Sequence, residues 1–498
     1  MKKEGIFDLA DADGYNDSER NLISLCRNSF LSLWALPNTF TSEGLREGQS
    51  SCSEFTDVLV VFGDDVILFS DKEIGFSEDK EIGVAWARWY KKAVINSVSQ
   101  LYGARNWAIN NPEKIYLDAK CTRPLPVQLP RGDQARFHLV ATTRGSTGPC
   151  AKAFGGGPGT FIIDTSADLE ASKKTPFVVG LASARKPFVH IFDEKSLALL
   201  LRELDTATDF LRYLKARESF LSNSFTKIVA MGEEQLLAAY LSYSDNDSAN
   251  FTSKETREKN FEVLIYDESH FSTYILSREY RERKSAERGS YAWDRQINDF
   301  ITLGDPAYSG YLAVPNKDVE HALRIMASES RFHRSILTSQ FDDFWEGAKK
   351  TPHQIRTRLL WTEQRKDTAY FYLVMPFPQG VTKEEYRFER AACLRVFCQC
   401  VPLRAPGVKK VVGIALDHPV RGYKERSEDL LVVGFDDYTE EDLIQLRQFA
   451  DKYGIFPGNI EIQTVRSYDH PGVSVGNLKP SLSKSEKNKA KAMRRKNR

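Results

Sequence analysis

The sequence has little of what marks the specialised classes of protein. Its 498 residues include only 7 cysteines and 20 prolines, with 41% hydrophobic and 28% charged residues, which excludes disulfide scaffolds, collagen-like chains and fully disordered chains. The longest apolar run, 58–69, is interrupted by Gly63, Asp64 and Asp65 and is shorter than the ~18–20 residues that span a bilayer. The opening segment MKKEGIFDLADADG lacks the apolar core of a secretory signal. We therefore expect a cytoplasmic globular protein with no membrane segment and reduced cysteines.

The chain also lacks an excess charge of either sign, because 69 Lys or Arg face 68 Asp or Glu. This average conceals a basic end: residues 484–498 carry a net charge of +7, which leaves −6 on the remainder. Such a segment binds DNA or RNA phosphates by releasing counterions, and it lacks the apolar face of a membrane anchor. A solubilising end without a partner is the alternative. The candidate nucleic-acid contacts are Lys484, Lys487, Lys489, Lys491, Arg494, Arg495, Lys496 and Arg498.

The pattern of apolar residues predicts a mixed α/β protein with several domains. In the N-terminal domain the pattern predicts a helix, a strand hairpin, a long helix at 80–110 and several short strands. The middle region is mostly helical, with a second hairpin over 261–266 and 272–276, and the C-terminal domain follows the βαββα order of a small α/β sandwich. The predicted divisions are a disordered N-terminus at 1–17, an α/β domain at 18–195, a helical region at 196–365, an α/β domain at 366–466 and a basic disordered tail at 467–498.

Several other motifs favour structural roles over chemistry. The segment CLRVFCQC at 393–400 lacks zinc-finger spacing, and its cysteines are interpreted as buried apolar side chains. The glycine-rich loop at 154–159 has no Gly-Lys-Ser/Thr to hold a phosphate, and Gly-Val-Ser-Val-Gly at 472–476 has no strand and helix around it. The helix at 80–110 interleaves aromatic and basic residues. We favour a buried aromatic face there over a base-stacking surface.

The segment EFTDVLVVFGDDVILFSDK predicts a hairpin whose strands meet at Gly63-Asp64 or at Asp64-Asp65. Strand side chains alternate between the two faces of a sheet. In either register Asp57, Ser70 and Lys72 therefore share one face, and Asp71 points to the other. A carboxylate beside an ammonium suits metal-assisted phosphodiester hydrolysis, in which carboxylates hold Mg²⁺ and a lysine stabilises the phosphate in the transition state.

This segment resembles the core of the PD-(D/E)XK nuclease superfamily, most closely its nuclease-related (NERD-like) and restriction-endonuclease-like domains. The resemblance covers about 18–145 and implies a nuclease-like α/β sheet and an Mg²⁺-dependent endonuclease. It implies that Asp57 is the acid of the second strand and Lys72 the lysine that ends the third. It offers Glu19 as the acid of the first helix, beside Asp57 as a metal ligand, and Gln100 as the glutamine of the following helix.

One position departs from the pattern of this superfamily. Two residues before Lys72, where the superfamily has Glu or Asp, the chain has Ser70, and a hydroxyl is a weaker Mg²⁺ ligand than a carboxylate. Asp71 replaces the missing ligand only if a β-bulge turns it inward. A catalytically inactive scaffold that binds nucleic acid or protein is therefore the alternative function. Elsewhere LDTATDFLRYL and SYAWDRQINDF resemble segments of a bacterial protein family, which implies no particular activity.

The basic tail leads to a test that needs no structure. If the partner is nucleic acid, deletion of 484–498 is expected to flatten the dependence of binding on salt, because fewer counterions are released. Binding of a labelled duplex or single strand is measured for the whole chain and the deletion over a series of salt concentrations. An unchanged slope would exclude the tail as the contact.

Overall fold

The computed structural model describes residues 6–10, 14, 16–43, 52–183, 185–223, 225–244, 248–259, 261–303, 316–362, 365–422 and 427–456. The predicted basic tail at 467–498, with its eight candidate nucleic-acid contacts, and the motif at 472–476 lie outside these ranges, as does much of the predicted disordered N-terminus at 1–17. The described residues build three mixed sheets with helices packed against them. The predicted mixed α/β class is therefore confirmed.

The strands that form the three sheets follow each other at short intervals along the chain. They are β1 (Ala35–Thr41), β2 (Ser53–Phe62), β3 (Asp65–Glu73), β4 (Ile115–Tyr116), β5 (Arg136–Arg144), β6 (Ile162–Asp168), β7 (Val178–Leu181), β8 (Val189–Asp193), β9 (Lys227–Ala230), β10 (Val263–Tyr266), β11 (Arg356–Trp361), β12 (Thr368–Met375), β13 (Lys410–Asp417) and β14 (Glu428–Gly434).

The helices fall between these strands and dominate the middle of the chain, as the sequence predicts. They are α1 (Asp17–Trp34), α2 (Ile82–Tyr90), α3 (Asn96–Asn110), α4 (Thr147–Ala153), α5 (Leu169–Lys174), α6 (Glu194–Glu203), α7 (Ala207–Leu221), α8 (Glu233–Tyr243), α9 (Lys254–Glu258), α10 (Ser269–Ile275), α11 (Arg278–Glu287), α12 (Tyr291–Leu303), α13 (Asn316–Ala327), α14 (Arg331–Lys349), α15 (Lys383–Gln399) and α16 (Glu440–Tyr453).

The first sheet has the order β4-β1-β2-β3-β5-β8, in which β1, β2 and β3 are antiparallel and β5 and β8 continue parallel to β3. The predicted hairpin is β2–β3. Phe62 pairs with Asp65, so Gly63-Asp64 forms the two-residue turn. Gly63 has a φ of 62° at the first central position, which is typical of a type II′ turn. The alternative turn at Asp64-Asp65 is thereby excluded.

Helices cover both faces of this sheet and explain the nearly continuous apolar runs of its central strands. One face packs on α1 and α7, where Phe210 stacks on Phe69 and meets Phe30 edge-on. The other face packs on α3. The predicted long helix at 80–110 consists of α2, a π-helical turn at Lys91–Ile95 and α3. Its Trp86 and Tyr90 are fully buried, which confirms the buried aromatic face.

The second sheet has the order β10-β9-β6-β7 and joins strands from both sides of residue 195, because Ile163 of β6 pairs with Ala230 of β9. The predicted hairpin over 261–266 and 272–276 is wrong. The first segment forms β10, which pairs in parallel with β9 after the α8 crossover. The second segment lies in α10, where the Asp267 carboxylate accepts hydrogen bonds from the Ser269 backbone and hydroxyl.

The third sheet has the order β11-β12-β13-β14, and the βαββα order predicted for its domain is confirmed. Helix α15 packs on one face, and α13 and α14 pack on the other. Thr382 caps α15 in a reciprocal pair of hydrogen bonds with Glu385. Cys398 and Cys400 are fully buried in this domain, which agrees with their interpretation as apolar side chains, whereas Cys393 is only partly buried.

A disulfide joins Cys52 to Cys121, so the expectation of seven reduced cysteines is wrong for this pair. The two residues are 69 positions apart in the sequence. They meet because β1 pairs with both β2 and β4, and because the Cys52 backbone N–H donates to the Ala119 carbonyl over 2.8 Å. Such a meeting depends on sheet topology, which cysteine spacing does not reveal.

Arg390 of α15 provides a test of the third domain's core. It is fully buried, its Nε donates to Asp429 over 2.7 Å, and its guanidinium also contacts Asp417. Arg390→Ala leaves the buried Asp417 without a charge partner and Asp429 with only its 3.3 Å contact to Arg387, so we expect the free energy of unfolding to fall by about 3–5 kcal/mol. The matched control, exposed Arg395→Ala on the same helix, is expected to change it by less than about 0.5 kcal/mol. Equal urea midpoints for the two variants would contradict this account.

Candidate active site at the open end of the hairpin

Four of the residues singled out in the sequence line one cleft of about 240 Å³. Asp57 comes from β2, Ser70 and Lys72 come from the end of β3, and Gln100 comes from α3. Asp57 and Gln100 are 43 positions apart in the sequence, and the four side chains meet at the end of the hairpin that lies opposite its turn. The convergence of a carboxylate, a hydroxyl, an ammonium and an amide makes this cleft the candidate active site.

The hairpin register determines which side chains face the cleft. Val58 pairs with Phe69, and Phe69 points towards α7. Alternation along each strand then turns Asp57 and Ser70 to the opposite face, towards α3. Beyond this pair the regular ladder ends, and the Asp57 carboxylate accepts a hydrogen bond from the Asp71 backbone N–H over 2.6 Å.

Asp57 is held in a setting that disfavours its ionised form. Burial and, to a lesser extent, the charge of nearby Glu54 raise the pKa of Asp57 to about 6. The hydrogen bond from the Asp71 N–H and the charge of Lys72 act in the opposite direction. A carboxyl group with a pKa near neutrality can bind a proton or a metal ion under ordinary conditions, and such groups are concentrated at functional sites.

Lys72 and Gln100 leave their polar groups available on the cleft wall. Within the described residues neither side chain has a hydrogen-bond or ion-pair partner, although Asp57 lies close enough to Lys72 for their charges to interact. Gln100 is exposed, and Lys72 is partly exposed. An unpaired ammonium beside a carboxylate provides a positive group for a phosphate or for a water molecule on a metal.

Two further acids, Glu43 and Glu54, line the same cleft and were not singled out from the sequence. Glu54 lies three positions before Asp57, and in a regular strand such residues point to opposite faces. The pairing of β1 with β2 shifts register between Thr39 and Phe40, opposite this part of β2, which breaks the alternation. With Asp57, the cleft therefore has three carboxylates, the oxygen donors that Mg²⁺ prefers.

The expectation that Glu19 and Asp71 join Asp57 as metal ligands is not met. The Asp71 carboxylate lies on the opposite face of the sheet, where it pairs with Arg144 over 3.0 Å and accepts a hydrogen bond from the Ser18 hydroxyl over 2.8 Å. Burial raises the pKa of Asp71, and Arg144 lowers it. Glu19, at the start of α1, accepts a hydrogen bond from the Asn16 side chain over 2.6 Å. Helix α1 covers the face away from the cleft, so its first turn cannot supply a ligand there.

A larger cleft of about 1020 Å³ opens at the turn end of the hairpin, beside α7. Its walls carry more cations than acids. The cations are Arg136, Arg212, Lys215, Arg257, Lys259 and Arg324, and the acids are Asp64 and Asp65. Because these cations come from four separate segments of the chain, no run in the sequence indicates the basic surface that they form together.

The pKa of Asp57 leads to a test by substitution. Because the pKa in the folded state is about 6 and the ordinary value is 3.8, the fold favours the neutral carboxyl. The neutral carboxyl therefore makes its full contribution to the stability of the fold below about pH 4, and this contribution is lost as the pH rises through about 6. Asp57→Asn cannot ionise and keeps an oxygen for the Asp71 N–H. We expect the free energy of unfolding of Asp57→Asn to exceed that of the wild type by about 2 kcal/mol at about pH 8. This difference is expected to disappear below about pH 4.

Urea unfolding at a series of pH values measures this difference. Asp79→Asn, at an exposed turn position, is the control and is expected to show no comparable dependence on pH. A constant difference between Asp57→Asn and the wild type over the whole range would contradict the raised pKa.

Comparisons of the chain with protein-family models, with curated proteins and with solved structures find no match. In the described part of the chain, no helix combines the length and the apolar character needed to cross a bilayer. Because a mixed α/β fold supports many unrelated activities, the side chains of the cleft are the features of this chain that bear on its function.

Proposed function

We propose that the protein is a metal-dependent nuclease that hydrolyses phosphodiester bonds in DNA or RNA at the cleft formed by β2, β3 and α3. One observation carries the proposal: Asp57, Lys72 and Gln100 line one cleft from the second strand, the end of the third strand and the following helix. That is the arrangement implied by the resemblance to PD-(D/E)XK nucleases, and it combines the groups that this reaction requires.

In this proposal the carboxylates of Asp57 and Glu54 would hold Mg²⁺, and the bound ion would supply an activated water and neutralise charge on the phosphate. Lys72 orients the attacking water or stabilises the charge that develops on the phosphate. Gln100 positions the substrate from the opposite wall. The partly buried Asp57, with its pKa near neutrality, releases its proton when a cation binds.

Glu54 is a candidate for the metal-binding carboxylate that is missing at Ser70. The superfamily pattern has an acid two residues before its lysine, and this chain has a hydroxyl there. Glu54 lines the same cleft as Ser70, and its charge acts on Asp57. We infer that Glu54 supplies the second carboxylate from the neighbouring strand. The ligand then comes from a different position in the sequence but lies in the same cleft.

The second candidate function is a scaffold that binds nucleic acid or protein without turnover, and Ser70 is the observation that favours it. A hydroxyl in place of the acid weakens metal binding unless another carboxylate compensates. This candidate predicts binding with no cleavage. The two functions differ in whether the chain turns over substrate when Mg²⁺ or Mn²⁺ is added.

The test uses purified full-length protein with plasmid, linear duplex, single-stranded DNA and single-stranded RNA, each with Mg²⁺, Mn²⁺ or a chelator. Cleavage is expected only with metal. Asp57→Ala, Glu54→Gln and Lys72→Ala are each expected to lower the rate by about 100- to 1000-fold, because each removes a metal ligand or a transition-state charge. Gln100→Ala is expected to have a smaller effect.

Two variants serve as matched controls. Glu19→Gln removes an acid from the other face of the sheet, and Lys91→Ala removes an exposed lysine that does not line the cleft. Both are expected to cleave within about twofold of the wild type. Absence of cleavage in all four substrates, or cleavage unaffected by a chelator, would overturn the nuclease proposal. Tight binding without cleavage would support the scaffold.

A further inference from the structure

A separate cluster of ligating side chains lies on the face of the first sheet that is turned away from Asp57. His138 comes from β5, His190 from β8 and Glu218 from α7. Each offers one ligating atom, and the three atoms lie within 4.8 Å of one another. None of the three was singled out from the sequence, in which the histidines are scattered.

Strand pairing brings the two imidazoles together. His190 pairs with Val140 on the neighbouring parallel strand, and His138 lies two positions before Val140, so both histidines point to the same face. That face also carries Ile67, which pairs with His138, and is covered by α7. Glu218 reaches the pair from α7. Three elements of the fold therefore deliver one ligand each.

The two histidines are buried with nitrogens that lack partners. His138 is 5% exposed and His190 is 0% exposed. Within the described residues, Nδ1 of His138 and Nε2 of His190 have no hydrogen-bond partner. A buried polar atom left unpaired costs about 1–3 kcal/mol, and one ion bound between these two nitrogens would give both a partner.

Asp65 prepares His138 for coordination. Its carboxylate lies 2.8 Å from Nε2 of His138, which holds the imidazole proton there and leaves the Nδ1 lone pair free. Although burial acts in the opposite direction, hydrogen bonds from His138, Arg136 and Lys215 hold the pKa of Asp65 well below its ordinary range. An ionised carboxylate behind a histidine is the usual support of an imidazole ligand.

His190 is available as a neutral ligand, because burial and the charge of Arg217 lower its pKa. Arg217 contacts Nδ1 of His190 over 3.3 Å and binds Glu233 twice, over 2.8 and 2.9 Å. Coordination through Nε2 moves the imidazole proton to Nδ1. The 3.3 Å contact between Arg217 and Nδ1 is then lost, and Arg217 keeps its two hydrogen bonds to Glu233. Glu218, half-buried on α7, contributes the one carboxylate oxygen of the cluster.

We propose that His138, His190 and Glu218 form a binding site for a divalent transition metal of the zinc type. Two imidazoles and one carboxylate suit Zn²⁺, Co²⁺ or Ni²⁺, whereas Mg²⁺ and Ca²⁺ prefer oxygen ligands alone. A tetrahedral ion sets its ligands ~3.4 Å apart, so two of these atoms approach each other by ~1.4 Å at most from their 4.8 Å limit. A water molecule takes the fourth position. The ion joins two neighbouring strands to α7.

The experiment uses full-length protein that has been stripped with a chelator and dialysed. Co²⁺ is titrated in and followed by its visible absorption, and Zn²⁺ uptake is measured by equilibrium dialysis with elemental analysis. One equivalent of each metal is expected to bind. His190→Ala and Glu218→Gln are each expected to lower Co²⁺ affinity by more than about 100-fold. Asp65→Asn, which only disturbs the support of His138, is expected to lower it by about 10- to 100-fold.

Two controls separate this site from other metal binding. His270→Ala removes a partly exposed histidine on α10 and is expected to leave Co²⁺ affinity unchanged. Asp57→Ala disables the proposed nuclease cleft and is also expected to leave it unchanged, so the two proposals can fail independently. Glu218 is only half-buried, so Glu218→Gln keeps the test valid even if a histidine variant does not fold. Absence of bound metal in the folded wild type, or Co²⁺ affinity equal to that of the wild type in the folded His190→Ala or Glu218→Gln variant, would overturn the proposal.

Discussion

The register of the β2–β3 hairpin is the constraint on which the rest of the N-terminal domain depends. Gly63 adopts a left-handed conformation, the turn closes on the pair Phe62 and Asp65, and every later side chain is thereby assigned to a face. A slip of one residue would exchange the faces of the whole strand. Asp57 and Lys72 would then lie on opposite faces of the sheet, and Asp65 would lose its contact with His138.

Much of this fold could be predicted from the sequence because its determinants are local. The glycine and aspartates of the turn, the alternating strands and the capped helices all act within a few residues. The cleft followed from the same alternation, which placed Asp57, Ser70 and Lys72 together. The rest depends on long-range pairing: Glu54 enters the cleft through an irregular ladder, and Glu19 misses it because α1 covers the other face.

The structure separates its charges by position along β3. The end that carries Lys72 opens into a cleft with three carboxylates, whereas the turn end opens into the larger cleft with its six cations. A phosphate-bearing ligand is repelled by the first cleft unless a cation is present, and it is attracted to the second without one. The near-zero net charge of the chain therefore says little about either surface.

The π-helical turn at Lys91–Ile95 has a consequence for how the cleft wall is aimed. In that turn the Asn96 backbone N–H donates to the Lys91 carbonyl, five residues back, so one more residue is accommodated than in an α-helical turn. Each residue of an α-helix advances the side chains by ~100°. The turn therefore rotates the side chains of α3 about the helix axis relative to those of α2. The upstream helix keeps Trp86 in the core while the downstream helix directs Gln100 and Leu101 to the cleft.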